Sequence, residues 1–516
     1  MRTAFLVLTM LVAGSAWSDD VIHLTVDAAK PGPKIDRHIF GQFAEDLGTG
    51  LYGGIWVGPK SAIPNTRGIR NDVVAALKAL HVADVRWPGG CFADEYHWQD
   101  GIGPLSNRRP QANFNWGGVI ESNEFGTDEF MDFVSQIGAE AYISVNVGSG
   151  TVEEAADWMQ YMTASADTAW GRVRAGNGHA APYAVAMLGL GNESWDCGGH
   201  MSADEYSGQL KRFAKFVHNW NKLQPTLKIA VGPGDAKTDY TEAVMRTWKE
   251  NADWDWNIDG LSLHSYTVGK WPPHWQATHF GEADYAQALK DTLKMDGLIS
   301  ANSTIMDRYD PDKHLSLVVD EWGAWYAPTA GTNPGFLQQQ NSQRDALIAA
   351  LNLNIFARHA DRVRHSNIAQ MINVLQAMIL TDGPNLLLTP TYHVYRMYVP
   401  FQDADSLRVT YAPGSYRVGE YELPRIDAIA ARTRQGQMVL SLTNLDAHRG
   451  ATVDADLGKG TVGRVASETL SAPSVDSINT FENPRAVTPK SGYAQVKDGH
   501  LVVTIPPASV VVLTTQ

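Results

Sequence analysis

From about residue 36 to 385 the chain alternates between short apolar or β-branched runs and longer stretches of helical character. The runs are Ile39–Glu45, Ala83–Pro88, Ala141–Val147, Ala184–Gly191, Lys228–Gly232, Gly260–Tyr266, Leu315–Glu321 and Ile368–Leu375. Between them Asp72–Leu80, Asp128–Ile137, Ala203–Lys222, Tyr285–Met295 and Asn341–Ala360 read as helices. Eight strands with intervening helices predict an α/β fold, a (β/α)8 TIM barrel over residues 36–385. The nearly unbroken apolar stretch Ala184–Leu190 fits a strand buried on both faces. A doubly wound open sheet is the alternative.

Past residue 386 the helical pattern fades. Val409–Tyr411, Ala428–Arg432, Met438–Thr443, Val462–Ser467, Ala494–Val496, Leu501–Ile505 and Ser509–Thr515 are short β-type runs punctuated by Gly, Pro, Asn and Asp. They predict a C-terminal β-sandwich, jelly-roll-like, over 386–516. Val21–Val26, within a segment 19–35 ahead of the barrel, is expected to join it as a strand. Residues 1–18 hold one Arg, a short apolar run and then small residues around Ala16 and Ser18. That order reads as a signal peptide, with a periplasmic or secreted protein as its consequence; an uncleaved anchor is the alternative.

Composition narrows the function. The 516 residues include 42 Lys and Arg against 56 Asp and Glu, a formal charge of −14, which disfavours nucleic acid as a partner. No other stretch is long and apolar enough to suit a membrane helix. Two cysteines cannot build a structural zinc site, and no Gly-rich nucleotide loop occurs, so neither a metal nor a cofactor is expected.

Polar residues close the strand-like runs: Glu45, Arg86, Asn146, Asn192-Glu193, His264, Tyr266, Glu321 and Gln370. In a barrel such residues gather at one mouth, where this fold places its chemistry. Glu193 follows the fourth strand and Glu321 ends the seventh, across the barrel from one another. Cleaving a glycosidic bond needs a carboxylic acid to protonate the leaving oxygen and a second carboxylate to attack or to activate water.

The motifs Phe40–Gly48, Arg86–Asp94, Trp98–Pro104, Asn123–Met131, Asn146–Gly150, Gly191-Asn192-Glu193, His264-Ser265-Tyr266, Asp320-Glu321-Trp322, Gln343–Leu347 and Ala369–Val374 are ordered along nearly the whole chain. In these the sequence resembles the α-L-arabinofuranosidases of glycoside hydrolase family 51. The resemblance implies an exo-acting, retaining hydrolase that releases terminal α-L-arabinofuranosyl residues from arabinose-containing polysaccharides or oligosaccharides of the plant cell wall. It assigns Glu193 as acid/base and Glu321 as nucleophile, and sugar contacts to Glu45, Asn192, Tyr266 and Gln370. Arg86 would pair with the nucleophile and His264 would organise the site. Trp271 would wall the leaving-group side. Many relatives carry Asn where Cys91 stands and His where Asp46 stands. Cys91 and Cys197 both fall in loops above the mouth, and in an oxidising compartment they are expected to form a disulfide lining the pocket. A homo-oligomer is a further implication. An endo-acting xylanase or glucanase of the same barrel group, or a non-catalytic carbohydrate-binding protein, are the competing functions.

Overall fold

The computed structural model describes residues 21–235, 237–251, 257–458 and 463–516. The expected signal peptide, 1–18, and Val462 of the expected run Val462–Ser467 lie outside the described residues.

Eight parallel strands close into a barrel in sequence order. They are β1 Gly41–Phe43, β2 Asp84–Trp87, β3 Glu140–Val145, β4 Val185–Leu190, β5 Leu227–Ala230, β6 Gly260–Thr267, β7 Ser316–Ala324 and β8 Val363–Ile368. β8 pairs with β1 through Asn367↔Gly41 and Ile368↔Gln42, which seals the ring. Every residue of β4 is buried, as a strand covered on both faces requires. The helices between strands begin and end on local chemistry. Ser202 and Glu205 form a capping box at the start of Ala203–Phe216, and Gly138, in the left-handed region at φ 77°, closes Thr127–Ile137.

Three expectations shift. The eighth strand is Val363–Ile368 and not Ile368–Leu375. Its His365, Ser366 and Asn367 are buried polar groups, and Asn367 donates to Asp84 Oδ2 at 2.6 Å, so an apolar criterion passes over the strand. The following Met371–Leu375 is equally buried but folds as turns. The helix expected to run to Lys222 stops at Phe216, because Asn219 and Asn221 turn the chain by accepting the amides of Asn221 and Leu223. Helices Val152–Thr163 and Thr238–Glu250 complete the alternation where the sequence pattern was silent.

The second unit is the β-sandwich, its nine strands hydrogen-bonded in one closed ring. Its first strand, Ile22–Lys34, precedes the barrel in sequence. It pairs antiparallel with Asp405–Tyr411 and parallel with Ala451–Asp456. Residues alternate in and out, so Ile22, Leu24 and Val26 join Leu440, Leu442, Val453, Leu501 and Leu513 in an apolar core. Helix Gln343–Arg358, buried along nearly its whole length, joins the two units. Asn354 and Arg358 donate to Asp427 at 2.7 and 2.9 Å, and Gln343 donates to the Ala508 carbonyl at 2.8 Å. Helix Pro390–Tyr398 falls where only strands were expected; Thr389 caps it and Pro390 supplies its first turn.

Candidate active site

The C-terminal ends of the barrel strands surround a cavity of about 600 Å³. Glu45, Cys91, Glu193, His264, Tyr266, Trp271, Glu321 and Gln370 line it. Arg86 and Asn192 stand behind that lining, each about 1 % exposed.

Glu193 lies three residues beyond β4. Gly191 makes the exit turn at φ 100°, and Glu193 itself sits at φ 34°, a conformation that side chains rarely adopt and that tertiary contacts must hold. Those contacts are visible. Asp94 accepts the amides of Val147, Gly148 and Asn192 at 2.8, 2.9 and 3.0 Å, tying the loops after β2, β3 and β4 together. Glu321 is inside β7 and is the register partner of His264 on β6. One oxygen of Glu193, one oxygen of Glu321 and a ring nitrogen of His264 all lie within 4.8 Å of one another.

The two glutamates have different surroundings. Glu321 accepts from Arg86 Nη1 and from the Tyr266 hydroxyl, both at 2.8 Å. Glu193 Oε1 meets His264 Nδ1 at 2.8 Å. Burial and the charge of Glu321 raise the affinity of Glu193 for its proton, against the pull of His264. His264 shows the opposite balance. Burial would discharge it, but Glu321, Asp320 and Glu193 together push it up to about 10. It is therefore an imidazolium among three carboxylates. Asp320 accepts from Tyr142 at 2.7 Å; burial would raise it, yet Arg86 and His264 hold it below the usual carboxylate range.

Glu45 accepts from the Phe92 amide, Trp116 Nε1 and Gln370 Nε2 at 3.1, 2.8 and 2.9 Å. Burial and Glu321 push it to about 7. Arg86 also donates to Asn192 Oδ1 at 2.6 Å and lies over the Phe43 ring, so one guanidinium orients both Asn192 and Glu321. Gly90 leaves room beside the carboxylate, since a Cβ there would lie 2.8 Å from Glu321 Oε1. Cys91 and Cys197 are joined by a disulfide with Cα atoms 5.5 Å apart, and Cys197 Sγ is 3.7 Å from Glu193 Oε2.

Sequence reasoning assigned no role to Asp94, Trp116, Tyr142 or Asp320. Asp94 and Asp320 fall inside motifs already noted, next to residues that were assigned; their signal was a charged residue expected to be buried. Trp116 arrives from the loop between the short strands Gln111–Asn113 and Val119–Glu121, which no barrel pattern foretells.

Known proteins resemble this chain along nearly its whole length. Residues 76–267 match the family described as "Alpha-L-arabinofuranosidase 1 domain", and residues 320–509 match "Alpha-L-arabinofuranosidase C-terminal domain". The chain is 41% identical over 524 residues to an intracellular exo-alpha-L-arabinofuranosidase of Bacteroides ovatus, covering 100% of both. It is 29% identical to an intracellular exo-alpha-(1->5)-L-arabinofuranosidase of Bifidobacterium longum, covering 96% of this chain and 92% of that one. The crystal structure of the GH51 arabinofuranosidase from Xanthomonas axonopodis pv. citri superposes with a TM-score of 0.93 at 49% identity, over 96% of this chain and all of that one. The two intracellular relatives overturn the periplasmic or secreted location expected from residues 1–18. A short apolar run followed by small residues is a compositional pattern, and it did not distinguish an exported chain from these relatives.

Proposed function

The chain belongs to the α-L-arabinofuranosidases of glycoside hydrolase family 51, and from that premise we propose how its own residues perform the exo-acting, retaining hydrolysis of terminal α-L-arabinofuranosides. The observation that supports the assignment is the approach of Glu193 and Glu321 oxygens to within 4.8 Å across the cavity. Retaining glycosidases hold their carboxyl groups about 5–5.5 Å apart, whereas inverting ones leave about 6.5–9.5 Å for a water molecule.

Glu193 begins protonated. It gives its proton to the glycosidic oxygen as Glu321 attacks the anomeric carbon; the glycosidic bond breaks and an arabinosyl ester of Glu321 forms. Water then loses a proton to Glu193 and attacks the same carbon. The ester bond breaks, arabinose leaves with its configuration retained, and both glutamates return to their first state. Arg86 and Tyr266, each donating to Glu321 at 2.8 Å, hold that carboxylate aimed at the anomeric carbon. Asn192, oriented by Arg86, holds the 2-hydroxyl. Glu45 and Gln370 bind the remaining hydroxyls. His264 supplies positive charge between the two carboxyls, which stabilises Glu193 while it is ionised in the glycosyl-enzyme and limits how far its proton affinity rises. The substrates are arabinose-bearing oligosaccharides of plant cell-wall origin, of a size that an intracellular enzyme meets.

Azide distinguishes the two roles. With an activated aryl arabinofuranoside, Glu193→Ala plus azide gives the glycosyl azide of retained configuration, and Glu321→Ala plus azide gives the inverted one. The opposite pairing would exchange the assignments. Release of oligosaccharides and no free arabinose from branched substrates would favour the endo-acting alternative.

A further inference from the structure

A second cavity, of about 730 Å³, runs on from the sugar pocket and shares Asp235, Ser265, Tyr266 and Trp271 with it. The two differ in charge. The sugar pocket is lined by Glu45, Glu193, Asp196, Asp235 and Glu321 against Lys237 and the His264 imidazolium, so its lining is net negative. The second cavity is lined by the exposed lysines Lys270, Lys290 and Lys294, with Asp235 and Asp291 as its carboxylates.

Asp291 neutralises Lys294, and Lys290 Nζ donates to the Glu422 carbonyl at 3.4 Å, so the charge left facing the cavity is that of Lys270 and Lys290 against Asp235. Asp291 Oδ2 accepts the amides of Val268 and Gly269, both at 3.0 Å, and its other oxygen pairs with Lys294. Asp235 accepts from the Ser265 hydroxyl at 2.9 Å, and burial raises its affinity for a proton. The two amide bonds to Asp291 also fix the strand exit that carries Lys270 and Trp271 onto helix Glu282–Thr292, so this wall is held in place. Trp271 is 55 % exposed, packs edge-to-face with Trp325 at a ring-centroid distance of 4.9 Å, and lines both cavities. In a chain of formal charge −14 such a group of lysines beside the reaction site is a local inversion.

We propose that this cavity receives the leaving-group side of the substrate and selects glycans bearing uronic acid carboxylates there. The inference rests on the arabinofuranosidase reading and adds a substrate class to it. An acidic group is disfavoured in the net negative sugar pocket, so the reacting sugar is neutral and the acid lies beyond the cleaved bond. Trp271 stacks a ring of the chain, and Lys270 and Lys290 meet the carboxylate.

The test compares an arabinofuranosylated xylo-oligosaccharide carrying a glucuronosyl branch with the same compound after reduction of that carboxyl to an alcohol. At low ionic strength the acidic substrate should have about fivefold higher kcat/KM, the scale of one or two exposed charge pairs. The ratio should approach one in about 0.5 M salt and in Lys270→Gln/Lys290→Gln. Equal rates in the wild type at low salt, or a preference that survives in the double variant, would overturn the proposal. If neither compound released arabinose, the arabinofuranosidase reading would fail and this proposal with it.

Discussion

The barrel mouth and the sandwich core are both buried, but they are buried in opposite ways. In the sandwich, Leu24, Leu440, Leu442, Val453 and Leu501 fill the interior with side chains that need no partner but each other. At the mouth, Arg86, His264, Asp320 and Glu321 are 1–6 % exposed, and each depends on a charged neighbour. Four carboxylates, those of Glu45, Glu193, Asp320 and Glu321, surround two cations. That surplus of negative charge is unfavourable to folding and useful to chemistry, because burial first, and the charge of Glu321 with it, raise Glu193 and Glu45 above ordinary carboxyl groups. Side chains of the first region should therefore govern stability, and those of the second should govern rate.

The sharpest division comes from Glu321→Ala. Activity on natural linkages should fall by roughly 10⁴-fold or more, while the melting temperature holds or rises because like charges are removed. Steady-state kinetics beside a thermal melt would show it; a large drop in Tm would merge the two regions after all.

Glu193 gives the next largest effect. Its loss should cost about 10²–10⁴-fold with poor leaving groups. As the proposed acid it acts protonated, and its affinity for the proton is raised, so activity should persist above the ordinary carboxyl range and then fall as pH rises through the shifted value. In Glu193→Gln, assayed with an activated aryl substrate, that alkaline limb should vanish. Glu45, pushed to about 7, titrates nearby, so Glu45→Gln is the control and should keep the limb. A limb that follows Glu45 would reassign it.

Leu442→Ala tests the other side. Leu442 is fully buried in the sandwich, and its truncation should lower stability by about 2–5 kcal/mol with kcat/KM unchanged below the melting transition. Altered kinetics in the still-folded variant would mean that the sandwich reports to the mouth through helix Gln343–Arg358. Smallest is Tyr266→Phe, which removes one hydrogen bond to a charged group, about 1.5–3 kcal/mol, or roughly tenfold to a hundredfold in kcat/KM. Stability should barely move.

The same contrast explains what could be read before the structure. The sandwich announces itself by alternation, and its strands were recognisable except Ala451–Asp456, which alternates strictly but is built largely of Ala and Asp, residues of low strand propensity. Seven barrel strands were recognisable as apolar runs, six of them closing on a polar side chain at the mouth; the run at Leu227–Ala230 closes on none. The eighth was not, because Val363–Ile368 buries polar groups against Asp84 and the Ile39 carbonyl. At the mouth, side chains that end strands could be picked out one by one. Asp94 and Asp320 were not, since their work is to hold other residues, and their one mark, a charged residue inside a buried motif, does not say which neighbour it holds. Trp116 reaches Glu45 across 71 positions of chain, a contact that only the closed fold creates.

The strand Ile22–Lys34 carries a consequence for biosynthesis. It emerges from the ribosome first among the described elements, yet its two neighbours in the sheet are Asp405–Tyr411 and Ala451–Asp456. The barrel can assemble progressively as the chain is made, each strand laid beside the one before it. The opening strand has no such neighbour and waits, with Ile22, Leu24 and Val26 exposed, until most of the polypeptide has been translated. Ring closure of the sandwich is thus a late, long-range event, and nascent chains stalled before residue 405 should be the ones that recruit chaperones.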